Sequence, residues 1–158
     1  MAKKIIITGG LGYIGTELCK IYSGFSWHHK ITIIDNRFIS ERVNQLRNWN
    51  MEFIHGDILD KDLVKKYFET ADIVHHLAGI TDVPRVKSES SSEKNDKIKL
   101  VAEKGTQNIL DVISNKCKII FPSTHVIYEG IDKVKNDIKE DEETKPVLSY
   151  SSSKAINE

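Results

Sequence analysis

A tyrosine and a lysine stand four positions apart near the end of the chain, in Tyr150-Ser151-Ser152-Ser153-Lys154. On a helix, residues i and i+4 share a face, so the phenol and the ammonium would lie one turn apart. A phenol placed this way can act as an acid or base. Its reference pKa is near ~10, and service as a base near pH 7 requires lowering it by about 3 units, or about 4 kcal/mol of differential stabilisation of the phenolate. A neighbouring cation is the kind of group that does this.

The second set of residues is Thr8-Gly9-Gly10-Leu11-Gly12-Tyr13-Ile14-Gly15. Gly9, Gly12 and Gly15 have the spacing G-x-x-G-x-x-G, between a predicted strand and a predicted helix. Residues without Cβ let backbone N–H groups approach a pyrophosphate, and the helix N-terminus adds a positive partial charge. Candidate contacts are Gly9, Gly12, Tyr13, Ile14 and Gly15. Asp35 closes the next predicted strand, with Asn36 beside it. A carboxylate there accepts hydrogen bonds from ribose hydroxyls and repels a 2′-phosphate. The expected cofactor is therefore NAD rather than NADP. Arg37 is the counter-signal, because an arginine nearby can accept that phosphate. With NAD bound, the nicotinamide ring would be a second cation for the Tyr150 phenol, and Lys154 could also hold the nicotinamide ribose.

These groups need a scaffold, and the apolar patterning supplies one. Lys3 to Thr8 and Lys30 to Ile34 are β-branched runs without polar alternation, as in strands buried on both faces. Glu52 to His55, Asp72 to His75 and Lys118 to Phe121 read as further strands. Helical spacing runs from about Tyr13 to Ser23, from Leu59 to Phe68, and from about Lys97 to Ser114, where Ile98, Val101, Ile109 and Ile113 form a stripe. Lys87 to Asn95 is polar and serine-rich, and Ile131 to Pro146 is highly charged, so both are expected as surface loops. Alternating strands and helices imply right-handed crossovers and an α/β fold, a Rossmann-type doubly wound parallel sheet of order 3-2-1-4-5. One dinucleotide-binding domain is expected over residues 1–158.

Composition narrows the function classes. The chain has 158 residues, 39% hydrophobic and 29% charged, which suits a globular domain with a real core. Basic and acidic residues balance at 23 each, so no electrostatic case exists for nucleic acid or an anionic membrane. Trp27 and Trp49 have no basic stripe around them for base stacking. No apolar run approaches the ~20 residues that span a bilayer. The short run after Met-Ala-Lys-Lys does not make a signal peptide, so the expected location is cytoplasmic. Cys19 and Cys117 are expected as reduced thiols. His75 and His76 are adjacent and would face opposite ways on a strand, which is poor metal geometry; no metal is expected. His28 and His29 suit a solvated turn.

With these motifs in hand, the whole chain resembles the extended short-chain dehydrogenase/reductase family, in its NAD-dependent epimerase/dehydratase group acting on nucleotide sugars. The resemblance extends to His55-Gly56-Asp57-Ile58, where the family's aspartate meets the adenine amino group, so Asp57 and Ile58 join the cofactor contacts. It extends to His76-Leu77-Ala78-Gly79, whose Leu77, Ala78 and Gly79 would line the cofactor. It includes Gly105-Thr106-Gln107-Asn108-Ile109-Leu110 and Phe121-Pro122-Ser123-Thr124-His125-Val126-Ile127-Tyr128. The resemblance implies Thr124 as the catalytic hydroxyl, beside Tyr150 and Lys154.

Some positions depart from the family. Sugar 4,6-dehydratases carry an Asp-Glu pair directly after this Ser/Thr, and UDP-glucuronate decarboxylases keep the glutamate; here the two positions are His125 and Val126. Ala102 replaces a usual asparagine, and Thr81 lies where galactose epimerases commonly have a lysine. The resemblance therefore implies transient oxidation of a sugar hydroxyl, with Tyr150 as base, by an epimerase on a nucleotide-sugar substrate. The alternatives are a nucleotide-sugar reductase or dehydrogenase of the same family, or a non-catalytic NAD-sensing module. An intact Thr124-Tyr150-Lys154 set argues against the sensor. A homodimer is compatible with the resemblance. Family members are longer than this chain, so the C-terminal substrate portion is expected to be absent from it. The 158 residues alone are expected to bind dinucleotide without turning over sugar.

Overall fold

The computed structural model describes residues 2–81, 91–132 and 136–158. Residues 87–90 of the predicted polar loop, and 133–135 of the predicted charged one, lie outside the described residues.

Among the described residues, five strands form one sheet: β1 Lys4–Thr8, β2 Lys30–Asp35, β3 Glu52–His55, β4 Ile73–His76 and β5 Lys118–Ile120. All described pairings are parallel, and the order is β3-β2-β1-β4-β5. This is the order expected from the sequence. The buried-strand signal is accounted for by position: β1 and β2 lie inside the sheet, and Ile5, Ile6, Ile7, Ile31, Ile33 and Ile34 are all buried. Edge strands β3 and β5 are only partly buried.

The helices are α1 Tyr13–Tyr22, α2 Ser40–Asn48, α3 Lys61–Phe68, α4 Ser92–Lys99, α5 Gly105–Leu110 and α6 Ser149–Asn157. A π-helical turn, Leu100–Lys104, joins α4 to α5, and a 3-10 turn covers His125–Tyr128. Two histidines show that the sheet is covered on both faces. His75 Nε2 meets Tyr22 Oη of α1 at 2.8 Å, whereas His76 Nε2 meets Thr106 Oγ1 of α5 at 2.9 Å. Adjacent strand residues point to opposite faces, so α1 and α5 lie on opposite sides. On the α1 side, Ile5, Ile7, Ile31 and Ile33 pack with Leu11, Cys19, Val43, Leu46 and Met51.

Two expectations change. Helix α2 carries no periodic signal strong enough to be read, because Val43 and Leu46 are its only buried residues. The predicted loop up to Asn95 is helical from Ser92. Ser91 Oγ caps α4 by accepting from Lys94 N at 3.2 Å, which satisfies one of the orphan donors of the first turn.

Packing divides the chain into two compact units. One comprises residues up to Gly79 together with Gly105–Pro122, and so holds the whole sheet; the other comprises Ile80–Lys104 and Ser123–Glu158. Among the described residues, no helix is long and apolar enough to cross a membrane. Both cysteines are free thiols, and burial pushes Cys19 up to about 12, which leaves it inert.

Candidate functional site

In the first unit the carboxyl ends of the strands come into line. The register sets Thr8 of β1 beside Ile34 of β2 and beside His76 of β4. The strand order reverses between β2-β1 and β4, and in open α/β sheets ligands bind in the crevice at such a point. The three loops leaving it are Gly9–Gly12, Asn36–Ile39 and Leu77–Gly79.

Gly9 has φ +66°, a left-handed conformation that favours glycine. A Cβ there would also lie 2.8 Å from Ala78 N. Gly12 N donates to Gly9 O at 3.0 Å and closes the turn. Gly15 sits against this turn: a Cβ on it would lie 2.5 Å from Gly9 O and 2.6 Å from Gly10 Cα. Helix α1 then starts from Gly12 with no side-chain cap. Its first N–H groups have no intrahelical acceptor by geometry, so the end suits an anion. Tyr13 and Ile14 of that first turn are exposed.

Asp35 ends β2 with its carboxylate buried. Oδ2 accepts from Leu11 N at 3.0 Å, which ties the acid to the glycine turn. Oδ1 accepts from Arg37 N at 3.0 Å and Arg37 Nε at 3.2 Å. Arg42 Nη1 donates to Leu11 O. Asn36 and Asp57 meet directly: Asn36 Nδ2 donates to Asp57 Oδ2 at 3.0 Å, while Asp57 Oδ1 accepts from Leu59 N at 2.9 Å. Ile58 is buried, and packs where a Cβ on Gly105 would fall.

The third loop is held from beneath by Thr8, which sequence reading left out. Thr8 Oγ1 accepts from Leu77 N at 3.1 Å and Ala78 N at 3.0 Å. A hydroxyl has two acceptor sites and one donor. Its proton therefore goes to His76 Nδ1, 2.9 Å away, which leaves His76 protonated on Nε2 and donating to Thr106 Oγ1. A hydroxyl closing a run of isoleucines was the available signal. Leu77 and Ala78 are half-buried and Gly79 is exposed. The cradle, the acid after β2 and the two flanking loops fit a dinucleotide: glycines stand where side chains would block the backbone, and a carboxylate closes β2 beside the glycine turn.

The second unit holds Thr124, Tyr150 and Lys154. Thr124 is the N-cap of the 3-10 turn, with Val126 N 3.5 Å from its Oγ1, and that turn packs on α6. Tyr150 and Lys154 share a face of α6, and Lys154 Nζ lies 6.0 Å from the Tyr150 ring centroid. Burial raises the Tyr150 pKa above its ordinary value. Burial lowers that of Lys154, with Glu158 acting in the opposite direction. The lowering that a phenolate base requires is thus not built into the helix.

Glu129 positions α6 and was invisible in the sequence. Its Oε1 accepts from Val147 N and Leu148 N at 2.8 Å each, and from Ser151 Oγ. Burial pushes the Glu129 carboxyl up, but the Ser151, Leu148 and Val147 hydrogen bonds outweigh it and hold it below the usual range. On the other side, Ser153 Oγ donates to Glu103 Oε1 at 3.1 Å and Asn157 Nδ2 to Ala102 O at 3.0 Å. Ser151 and Ser153, between Tyr150 and Lys154, are therefore structural, both buried and bonded. Among the described residues, no group of three or more metal-ligating side chains is gathered.

Residues 6–158 match the 3-beta hydroxysteroid dehydrogenase/isomerase family. The chain is 32% identical to a dTDP-D-glucose 4,6-dehydratase of Dictyostelium discoideum, over 97% of this chain and 38% of that protein. It is 31% identical to a bifunctional UDP-glucose 4-epimerase and UDP-xylose 4-epimerase of Pisum sativum, over 84% of this chain and 40% of that one. Among solved structures it superimposes on a UDP-glucuronic acid 4-epimerase mutant from Bacillus cereus, in complex with UDP-4-deoxy-4-fluoro-glucuronic acid and NAD. The TM-score is 0.79 at 26% identity, over 98% of this chain and 49% of that chain. The chain thus spans less than half the length of these relatives.

Proposed function

This chain belongs to the extended short-chain dehydrogenase/reductase family, and we propose that it is the NAD-binding part of a nucleotide-sugar epimerase. Its relatives include both epimerases and dehydratases. The choice between them rests on one observation: Thr124 is followed by His125 and Val126, the latter half-buried beside the Thr124 hydroxyl. Valine has no proton to give or take, so elimination of water lacks one member of its acid–base pair.

Bound NAD would supply the hydride acceptor for transient oxidation of a sugar hydroxyl. Gly9 and Gly12 would let the turn come close to the pyrophosphate, and Tyr13, Ile14 and Gly15 would hold it by the first N–H groups of α1. Asp35 and Asn36 would take the adenosine ribose, and Asp57 and Ile58 the adenine. Leu77, Ala78 and Gly79 would line the cofactor. Tyr150 would take the hydroxyl proton, Thr124 would steady the same oxygen, and Lys154 would hold a ribose and favour the phenolate. Burial raises the Tyr150 pKa, so the phenol stays protonated near neutral pH until a further cation arrives. That makes base function conditional on a loaded site.

Two results test the reading. Incubated with dTDP-glucose, GDP-mannose or UDP-N-acetylglucosamine, the whole protein should give products of unchanged mass. Loss of one water from any of them refutes the epimerase assignment. Dissociation constants should favour NADH over NADPH, and Asp35→Asn should narrow the difference. Asparagine keeps an oxygen for Leu11 N but removes the charge that repels a 2′-phosphate. Equal or tighter NADPH binding by the unaltered chain sinks the NAD assignment.

A further inference from the structure

We propose that Arg37 sets the margin by which the site tells NAD from NADP, by capping the very carboxylate that should read the ribose. The inference rests on the dinucleotide reading above. The Asp35 side chain is 3% exposed and that of Arg37 is 55% exposed. Four donors converge on the carboxylate: Leu11 N and Arg37 Nη2 on Oδ2, at 3.0 and 3.4 Å, and Arg37 N and Nε on Oδ1, at 3.0 and 3.2 Å. A carboxylate offers about four lone-pair sites. A ribose diol that comes to donate its two hydroxyl protons finds them taken. It gains Asp35 only if the guanidinium lets go.

The guanidinium also stands at the cradle. Arg37 Nη2 lies 3.6 Å from the point where a Cβ on Gly12 would project. A guanidinium carries five N–H groups, and the bonds to Asp35 use two of them. Those bonds offset the charge that would repel a 2′-phosphate, and the remaining donors match phosphate oxygens in geometry. Asp35 and Arg37 therefore act against each other. The acid selects the diol, while the arginine masks the acid and offers itself to a phosphate. The outcome is a preference for NADH that is narrower than a free Asp35 would give.

The test is fluorescence titration of the intact chain with NADH and NADPH. Arg37→Leu keeps an apolar stem and removes the fork. It should weaken NADPH by at least about tenfold, the loss of a charge-assisted hydrogen bond, while NADH binds as well or better. The ratio of the two dissociation constants should rise accordingly. Arg37→Lys keeps the charge without the bidentate fork and should raise the ratio by less. An unchanged or smaller ratio in Arg37→Leu, with NADH still bound by the unaltered chain, overturns this proposal alone. Failure of the unaltered chain to bind either dinucleotide overturns the cradle reading instead.

Discussion

Gly15→Ala should weaken NADH binding by about 100-fold, the equivalent of about 3 kcal/mol, while leaving the sheet folded. The added methyl would lie 2.5 Å from Gly9 O, 2.6 Å from Gly10 Cα and 2.9 Å from Gly10 C. All three are backbone atoms, so no rotamer change relieves the clash. The Gly9–Gly12 turn must open, and Gly9 O also accepts from Gly12 N. Opening it shifts the start of α1 and takes its first N–H groups from the pyrophosphate path, and two charge-assisted hydrogen bonds at about 1.5 kcal/mol each account for the predicted loss. Overpacking of this kind costs about 1–3 kcal/mol of stability, which the melting temperature should register as a modest fall. Gly24→Ala is the comparison: the nearest atom to its added methyl would be Ile21 O at 4.0 Å, and binding should not change. Wild-type affinity in Gly15→Ala would show that the glycine turn does not hold the dinucleotide.

That prediction needs only the sequence spacing and one set of distances, and the reason is physical. Where the backbone itself must approach a ligand or another backbone, the requirement is written in residue type, and glycine is the only answer. Asp35 is legible for a similar reason, as an acid closing an apolar strand. The interior strands declare themselves because burial on both faces leaves no polar alternation. Helix α2 and the start of α4 do not, because they bury so little: Val43 and Leu46 in one, and nothing before Ile98 in the other. The hidden part of the site consists of side-chain contacts set by tertiary placement. Arg37 is visible as a nearby cation, but not its hold on both carboxylate oxygens of Asp35. Glu129 is far from Ser151 along the chain and lies beside a charged stretch, with nothing to distinguish it. The Thr8–His76–Thr106 chain links residues that the register of β1 and β4 and the packing of α5 on the sheet bring together.

Tyr150→Phe should lower turnover of the whole protein by about 10²–10⁴-fold, the range that a positioned acid or base contributes, and leave NADH affinity unchanged. The variant keeps the ring and its place on α6 and removes only the transferable proton. The helix keeps its anchors, because other residues supply them: Glu129 at its start, Glu103 and Ala102 along its side. A loss confined to kcat separates chemistry from binding. The pH dependence supplies a second reading. Burial raises the phenol's pKa and the cations of a loaded site act against it, so a rate carried by the phenolate should climb as pH rises through the value set in the loaded site. The residual rate of Tyr150→Phe should lack the climb. Lys154→Ala should differ from it in kind, weakening NADH binding as well as rate, since the ammonium near the Tyr150 ring is assigned to ribose and phenolate together. A Phe variant that keeps substantial activity, or that keeps the pH climb, would mean that another group takes the proton and that the shared face of α6 serves packing alone.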